Sequence, residues 1–228
     1  MFAALPDKHS PETEGNLWLA KALWDLGAVQ FGDFTLGRTT LHSPVYVNLR
    51  LLISNPRALQ RAARVMWQEV RTLQSMLHPH IRPFQRVTGI PFGGLHVALA
   101  FSLISKTPLV FVHPAKNRDA PEPFIEGRFQ RGETVLLIDD LITSGGNVIE
   151  TAAFLQLSGG LKVSDVVVLL DREEGARERL RQHGYNLISI LGLETMLNYL
   201  MASGRIEEHW YSKSIDYIRS RRAERSAD

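Results

Sequence analysis

One stretch of this sequence constrains the fold more than any other, the segment from Thr134 to Asn147. It begins with the apolar run Val-Leu-Leu-Ile, which is too short for a core helix and is typical of a buried strand. The run leads into Asp139 and Asp140, and the segment closes with Thr-Ser-Gly-Gly-Asn. Apolar residues then recur at helical spacing as far as Leu155. The segment therefore predicts a strand, a tight turn and a helix in direct succession.

The turn between this strand and helix has the composition of a phosphate-binding loop. Glycines let the backbone approach an anion closely, and the free N–H groups and positive dipole end of the helix then face it. In open α/β sheets, ligands bind beyond the carboxyl ends of the strands, which is where this turn would lie. The residues predicted to bind phosphate are Thr143, Ser144, Gly145, Gly146 and Asn147.

Two carboxylates, Asp139 and Asp140, narrow the class of ligand. Because like charges repel, carboxylates do not suit a bare phosphate site. They do suit a ligand that also presents hydroxyl groups or arrives with a divalent cation, and a ribose 5-phosphate with free 2- and 3-hydroxyls has both properties. The alternative is a buried strand that ends in a polar turn with solvated carboxylates.

A second glycine-rich turn lies upstream, in Gly89-Ile-Pro-Phe-Gly-Gly94. It follows a short strand and precedes a helix of small residues, so its backbone is suited to line a second anion site. Alone, the turn is equally consistent with a plain strand-to-helix connection. With the phosphate loop downstream, it is interpreted as a pyrophosphate loop. The charged run from Asp171 to Gly175 also follows a predicted strand, and it belongs either to the same site or to a solvated turn.

The order of predicted elements defines an α/β fold. Strands alternate with helices after residue 86, and one of the predicted buried strands is Pro108–Val112. This alternation favours a central, mostly parallel sheet with helices on both faces, preceded by a small N-terminal hairpin. The predicted divisions are a flexible leader at 1–15, a single domain at 16–218 with a hood formed largely by 16–50, and a frayed, charged tail at 219–228.

Composition excludes several function classes. The 26 basic and 24 acidic residues leave a net charge of +2, which gives no strong attraction to nucleic acid or membranes. The absence of cysteine excludes disulfides, cysteine metal sites and a cysteine nucleophile. No apolar run reaches about 18 residues, and the N-terminal residues lack the pattern of a signal peptide. We therefore expect a cytoplasmic protein with no nucleic acid and no membrane partner.

The segment that begins at Thr134 resembles the phosphoribosyl-pyrophosphate-binding signature of the type I phosphoribosyltransferases. That pattern is an apolar strand, two acidic residues, two small apolar residues, two small hydroxylated residues and glycine. Roughly from Leu17 to Arg219, the chain is similar to the orotate members of this family. The further motifs that carry the similarity are Phe31-Gly-Asp-Phe-Thr-Leu, Ser43-Pro-Val-Tyr-Val-Asn-Leu-Arg, Gly89-Ile-Pro-Phe-Gly, Ile125-Glu-Gly and Val168-Leu-Leu-Asp-Arg-Glu-Glu-Gly.

The resemblance implies the fold of that family and its reaction in pyrimidine biosynthesis, the transfer of 5-phosphoribosyl from phosphoribosyl pyrophosphate to orotate. The products would be orotidine 5'-phosphate and pyrophosphate. It also implies a homodimer, and Mg²⁺ held mainly by phosphoribosyl pyrophosphate with no direct protein ligand. The implied binding residues are Asp139, Asp140 and Thr143 to Asn147 for ribose 5-phosphate, Gly89, Pro91, Phe92, Gly93 and Arg38 for pyrophosphate, and Tyr46, Val47 and Arg172 for orotate.

The sequence departs from the family pattern where that pattern is basic. Gly37 stands at the position of a lysine that follows the hairpin motif, and the strand before the next loop ends in His113 and a proline rather than in basic residues. The lysine of that loop, which assists pyrophosphate departure in the family, falls on Asn117.

Lys116 and Arg118 flank that position and are the candidate replacements. With Asp140, they form the predicted catalytic set. Two other interpretations stay open on the sequence: a homologue that binds nucleotide but catalyses weakly, or a phosphoribosyltransferase that accepts another base.

Overall fold

The structure is a computed structural model that describes residues 16–36, 40–113 and 124–226. Within these ranges the helices are α1 (Leu17–Asp25), α2 (Pro56–Ser75), α3 (Gly93–Ser105), α4 (Gly146–Gly159), α5 (Ala176–Gln182), α6 (Leu193–Ala202) and α7 (Glu208–Ser226). The strands are β1 (Val29–Leu36), β2 (Thr40–Val47), β3 (Arg86–Gly89), β4 (Phe111–His113), β5 (Phe124–Glu126), β6 (Thr134–Ile142), β7 (Lys162–Asp171) and β8 (Asn186–Gly192). A 3-10 helix, Leu49–Ser54, follows β2.

A four-stranded parallel sheet with the order β3-β6-β7-β8 forms the centre of the fold. Its side chains alternate between the two faces, as the pleat requires. In β6, Leu136 and Ile138 join one buried cluster, whereas Val135 and Leu137 join the other. Both clusters are apolar, which explains why the strand reads as a continuous hydrophobic run.

Helices cover both faces of the sheet. Helices α1, α2, α3 and α6 contribute to the first cluster, for example through Met66 and Phe101. Helices α4 and α5 contribute to the second, through Leu155 and Leu180. The fold class predicted from the alternating pattern is therefore confirmed.

The strand register brings three turns to one edge of the sheet. Gly89, at the end of β3, lies beside Ile138 of β6. Ile142, at the end of β6, lies beside Asp171 at the end of β7. The glycine turn after β3, the phosphate loop after β6 and the charged run after β7 are consequently neighbours, although they are far apart in sequence.

The antiparallel hairpin of β1 and β2 is held beside the same edge. Val45 and Val47 of β2 are buried in the first cluster. At the base of the hairpin, the N–H of Asn48 donates to the carbonyl of Ala28 at 2.8 Å. The ring of Phe31 lies 5.8 Å from that of Trp210 in α7. These contacts explain how the N-terminal segment reaches the site.

The segment predicted as the buried strand Pro108–Val112 does not join the sheet as a full strand. It makes one parallel bridge, between Leu109 and Val87, and β4 then pairs antiparallel with β5. Gly127 has a positive φ of 107° and packs so closely that a Cβ there would lie 3.0 Å from the carbonyl oxygen of Leu109. The close return of the chain at Gly127 thus gives this segment a partner outside the sheet.

The C-terminal helix is longer than predicted. The sequence predicted a frayed, charged tail at 219–228, but α7 continues to Ser226. Arg222 lies in the added turns, and its Nη2 donates to Oε1 of Glu173 at 2.8 Å. A long-range ion pair of this kind has no local sequence signal.

Three predicted features fall outside the described residues: the leader at 1–15, Arg38, and the loop with Lys116 and Arg118. Among the helices that the structure describes, none has both the length and the apolar content needed to cross a membrane.

Candidate active site

A cavity of about 680 Å³ lies at the carboxyl edge of the sheet. The hairpin and the 3-10 helix form one wall, and the turns after β3 and β6 form the others. Most of the predicted site residues within the described ranges line it, namely Tyr46, Val47, Pro91, Gly93, Asp139, Asp140, Thr143, Ser144, Gly145, Gly146, Asn147 and Arg172. The fold thus brings the three predicted subsites into one space.

Two predicted site residues, Gly89 and Phe92, do not line the cavity. Gly89 is packed under α3, where a Cβ would lie 2.6 Å from the carbonyl oxygen of Gly94. Its structural role is to let the helix approach the strand. The side chain of Phe92 is 65% exposed and does not line the cavity. The peptide bond between Pro91 and Phe92 is cis.

The phosphate loop has the backbone geometry that its glycines predict. Gly145 has a φ of +76°, which favours glycine, and it caps the start of α4 without a side chain. The N–H groups in the first turn of a helix have no partners within the helix. Such N–H groups and the positive end of the helix dipole can together bind an anion.

The two carboxylates lie inside β6 rather than beyond its end, because the strand continues to Ile142. Asp139 is 7% exposed, and its Oδ1 accepts a hydrogen bond from the N–H of Asp140 at 2.9 Å. Burial raises the pKa of the Asp139 carboxyl well above its usual range, and the neighbouring Asp140 raises it further. Asp140 is half-buried, and its Oδ1 accepts from the N–H of Leu141 at 2.9 Å.

The upstream glycine turn contacts Asp140. A Cβ on Gly93 would overlap the Asp140 carboxylate, and a Cβ on Gly94 would lie 2.5 Å from the carbonyl oxygen of Ile138. Only glycine allows α3 to begin so close to β6. This contact places the upstream turn directly beside the carboxylate pair.

Arg172 joins the charged run after β7 to the hairpin. Its side chain is almost completely buried, and its Nε donates to Oε1 of Glu174 at 2.6 Å. Nη2 donates to Oγ of Ser43 at 2.9 Å, and Nη1 donates to the carbonyl of Val45 at 3.2 Å. Arg172 therefore lines the cavity and also holds the hairpin over it.

Four residues near the cavity had no assigned role on the sequence. Asn48, Arg50 and Arg179 line it. Arg50 donates to the hydroxyl of Tyr46 and to Oδ1 of Asn48, both at 3.2 Å. Asn48 and Arg50 belong to the motif Ser43–Arg50, which could have indicated them as site residues. No sequence motif indicated Arg179.

His96 is the fourth residue near the cavity without a role assigned from the sequence. It follows Gly93 by one helical turn on α3, and its Nε2 has no hydrogen-bond partner in the described part of the chain. Burial lowers the pKa of His96, against the opposing effect of Asp140, and Arg50 lowers it further.

Comparison with known proteins places this chain in a family. No family model matches the chain. The chain is 36% identical over 188 residues to uridine 5'-monophosphate synthase of Bos taurus. The aligned residues are 82% of this chain and 37% of that protein. It is 34% identical over 173 residues to orotate phosphoribosyltransferase of Pyrococcus abyssi, with 76% of this chain and 90% of that protein covered.

Solved structures give the same family as the sequence comparison. The crystal structure of orotate phosphoribosyltransferase from Aeropyrum pernix matches with a TM-score of 0.69 and 30% identity, over 81% of this chain and 98% of that chain. The parallel sheet, the acidic strand end and the glycine loop thus define a type I phosphoribosyltransferase. The chain belongs to the orotate phosphoribosyltransferase family. It spans only about two fifths of the length of the longer relatives, at 37% and 41%.

Proposed function

We propose that the chain transfers the 5-phosphoribosyl group from phosphoribosyl pyrophosphate to N1 of orotate, giving orotidine 5'-phosphate and pyrophosphate. The observation that carries this proposal is the single cavity in which the phosphate loop, the carboxylate pair and the hairpin end converge. A phosphate subsite beside hydroxyl-binding carboxylates suits ribose 5-phosphate. Similarity to proteins named orotate phosphoribosyltransferase supports the choice of base.

In the proposed complex, residues 143–147 bind the 5-phosphate, and Asp139 and Asp140 accept hydrogen bonds from the ribose hydroxyls. Pro91 and Gly93 of the turn after β3 bind pyrophosphate together with Arg38, whereas Gly89 and Phe92 of the same turn do not line the cavity. Tyr46, Val47 and Arg172 border the orotate ring. Of the described residues named here, all except Gly89 and Phe92 line the cavity, and this position supports their roles.

The reaction is a displacement at C1 of the ribose. The C1–O bond to pyrophosphate breaks, pyrophosphate leaves with the electron pair, and N1 of orotate forms the new bond while its proton passes to solvent. Because the ribose gains oxocarbenium character and the leaving group gains charge, groups that stabilise these charges lower the barrier. Asp140 faces the ribose side, and Lys116 and Arg118 would serve the pyrophosphate side.

The site fits Mg²⁺ that is held mainly by the substrate. Mg²⁺ commonly keeps several waters and is bound through substrate phosphates with few protein ligands. The carboxylate pair supplies negative charge beside the cavity, which suits a divalent cation. When bound, Mg²⁺ would neutralise the charge that develops on pyrophosphate.

A steady-state assay with orotate, phosphoribosyl pyrophosphate and Mg²⁺ tests the proposal, and we expect formation of orotidine 5'-phosphate. The departures at Gly37, His113 and Asn117 favour a second candidate, a nucleotide-binding homologue with weak catalysis. Tight binding of orotidine 5'-phosphate without turnover would support that candidate. Turnover only with another base would support a transferase of different specificity.

Lys116→Ala and Arg118→Ala test the catalytic set. Loss of one charge-stabilising donor should lower kcat on the order of 100-fold. If kcat is unchanged in both variants, neither side chain replaces the missing loop lysine.

We also propose a homodimer, supported by two exposed leucines on α3, Leu99 and Leu103. The cytoplasmic location stays a prediction from the sequence.

A further inference from the structure

We propose that Arg179 binds the 5-phosphate directly and supplies the positive charge that the phosphate loop lacks, an inference that rests on the proposed function. Arg179 belongs to α5, yet it lines the cavity. Its Nη1 donates to the carbonyl of Ser144 at 3.4 Å. The same atom would lie 3.9 Å from a Cβ on Gly146, the first residue of α4. The guanidinium group therefore stands beside the loop at the start of that helix.

Packing of α5 against the loop accounts for this position. Leu180 is fully buried in the second cluster. It contacts Gly145 so closely that a Cβ there would lie 3.1 Å from Cγ of Leu180. Because Arg179 directly precedes Leu180 in α5, the contact between Leu180 and Gly145 holds Arg179 close to the loop.

The arginines of α5 differ in their partners. Arg177 lies 3.8 Å from Oδ2 of Asp171, and Arg181 lies 2.7 Å from Oε1 of Glu178. For Arg179, no carboxylate within ion-pair distance occurs in the ranges that the structure describes. Its charge is thus not neutralised by the described residues around it.

The location of this charge points to an anionic ligand. A helix N-terminus carries partial positive charge, so a cation beside it is unfavourable unless an anion lies between them. The loop itself, residues 143–147, contains no cationic side chain. A phosphate monoester would accept hydrogen bonds from the backbone N–H groups and from the guanidinium group together, and charge-assisted bonds of this kind are the strong ones. This chemistry matches the 5-phosphate of the substrate and of the product.

Calorimetric titration of the full chain with a matched ligand pair tests the inference. Orotidine 5'-phosphate carries the phosphate group, and orotidine lacks it. We expect Arg179→Gln to weaken binding of orotidine 5'-phosphate on the order of 10- to 100-fold, as for a lost charge-assisted hydrogen bond, and to leave orotidine binding unchanged. Arg179→Lys should retain part of the affinity. Arg181→Gln, on the same helix, is the control and should behave as wild type.

The ionic strength dependence gives a second readout. Added salt screens an exposed charge, so wild-type affinity for orotidine 5'-phosphate should fall with salt more steeply than that of Arg179→Gln. The inference is overturned if Arg179→Gln changes the affinity for orotidine 5'-phosphate by less than about twofold. It is also overturned if orotidine binding weakens equally, which would indicate a structural role, or if the wild type does not prefer the phosphorylated ligand. Absence of turnover with this preference retained would contradict only the proposed function.

Discussion

At the scale of single residues, the buried Asp139 carboxyl carries an electrostatic cost in the free protein. Asp139 is buried, and its nearest ionisable neighbour is another carboxylate. Both features disfavour its charged form, which is why its pKa is raised. In the proposed complex, hydrogen bonds from ribose hydroxyls would stabilise the charged form, so ligand binding would offset a cost that the free protein carries.

Asp139→Asn should therefore stabilise the free protein at neutral pH while it weakens ribose binding. A raised folded-state pKa means that the native state binds more protons than the unfolded state, so stability falls as pH rises from the unfolded pKa of about 4 to the folded pKa. Above the folded pKa the cost is fully present, and below the unfolded pKa it is absent. Asparagine removes the cost and can still accept from the N–H of Asp140.

Thermal unfolding at several pH values measures this effect. Each kcal/mol of gain should raise the Tm by about 2–4 °C in a chain of this size. The gain should disappear below pH ~4. An equal gain in Tm at neutral pH and below pH ~4 would show that charge burial is not the cause.

A second residue-scale prediction concerns the buried pair of Arg172 and Glu174. Glu174 is fully buried, and its Oε1 lies 2.6 Å from Nε of Arg172. Glu174→Gln removes the negative partner of a buried cation, which typically lowers the free energy of unfolding by about 3–5 kcal/mol. Because Arg172 also holds Ser43, we expect weaker orotate binding as well.

Chemical denaturation and calorimetry check this prediction. Glu178→Gln removes an exposed carboxylate that pairs with Arg181, and it serves as the control with unchanged stability. Equal unfolding midpoints for the two variants would contradict the role given to the buried pair.

At the scale of elements, the junctions between strands and helices determine the shape of the site. Helix α3 begins against β6, and helix α4 begins directly after it. Glycine stands at the first position of both helices, but for different reasons. A Cβ added at Gly93 would overlap the carboxylate of Asp140. A Cβ added at Gly146 would have its nearest neighbouring atoms outside its own helix 3.9 Å away, in Arg179 and Ser144.

Gly93→Ala should therefore weaken binding of phosphoribosyl pyrophosphate with little change in thermal stability. The added methyl group would displace the carboxylate of Asp140, which is half-buried and can turn toward solvent. Gly146→Ala is the matched control for stability, since alanine has room there and suits a helix. Titration calorimetry and thermal unfolding measure both quantities. A Gly93→Ala variant with wild-type affinity would show that Asp140 adjusts without loss of function.

Elements also show where sequence patterns stop being informative. The strand, turn and helix from Thr134 to Gly159 follow from apolar spacing and glycine placement, which are local properties. The partner of β4 is not local. A short apolar segment predicts a strand, but the return of the chain at Gly127 decides that it pairs with β5 rather than entering the sheet fully.

At the scale of the whole molecule, exposed apolar side chains on α3 are consistent with the proposed homodimer. Leu99 and Leu103 are one turn apart on α3 and are 52% and 63% exposed. In the proposed homodimer these side chains would be buried against a second copy.

Leu99→Glu combined with Leu103→Glu should convert the proposed homodimer into a monomer, because charged side chains are costly to bury without partners. Analytical ultracentrifugation measures the change in mass. Leu157→Glu is the control, since Leu157 is 82% exposed on α4 and its replacement should leave the mass unchanged. A variant of α3 that sediments as the wild type does would exclude this helix face from the interface.

The sequence by itself determined the α/β class, the parallel sheet, the phosphate loop and the carboxylate pair. Each of these features depends on residues that are close together in the sequence, where hydrophobic spacing and the positions of glycines can be read directly. Only the tertiary structure decided which distant groups meet at the site. Arg172 bonds to Ser43 across 129 positions, and Arg179 reaches Ser144 across 35. Such contacts depend on how buried strands and helices pack, and side-chain packing between distant segments leaves no periodic signal in the sequence.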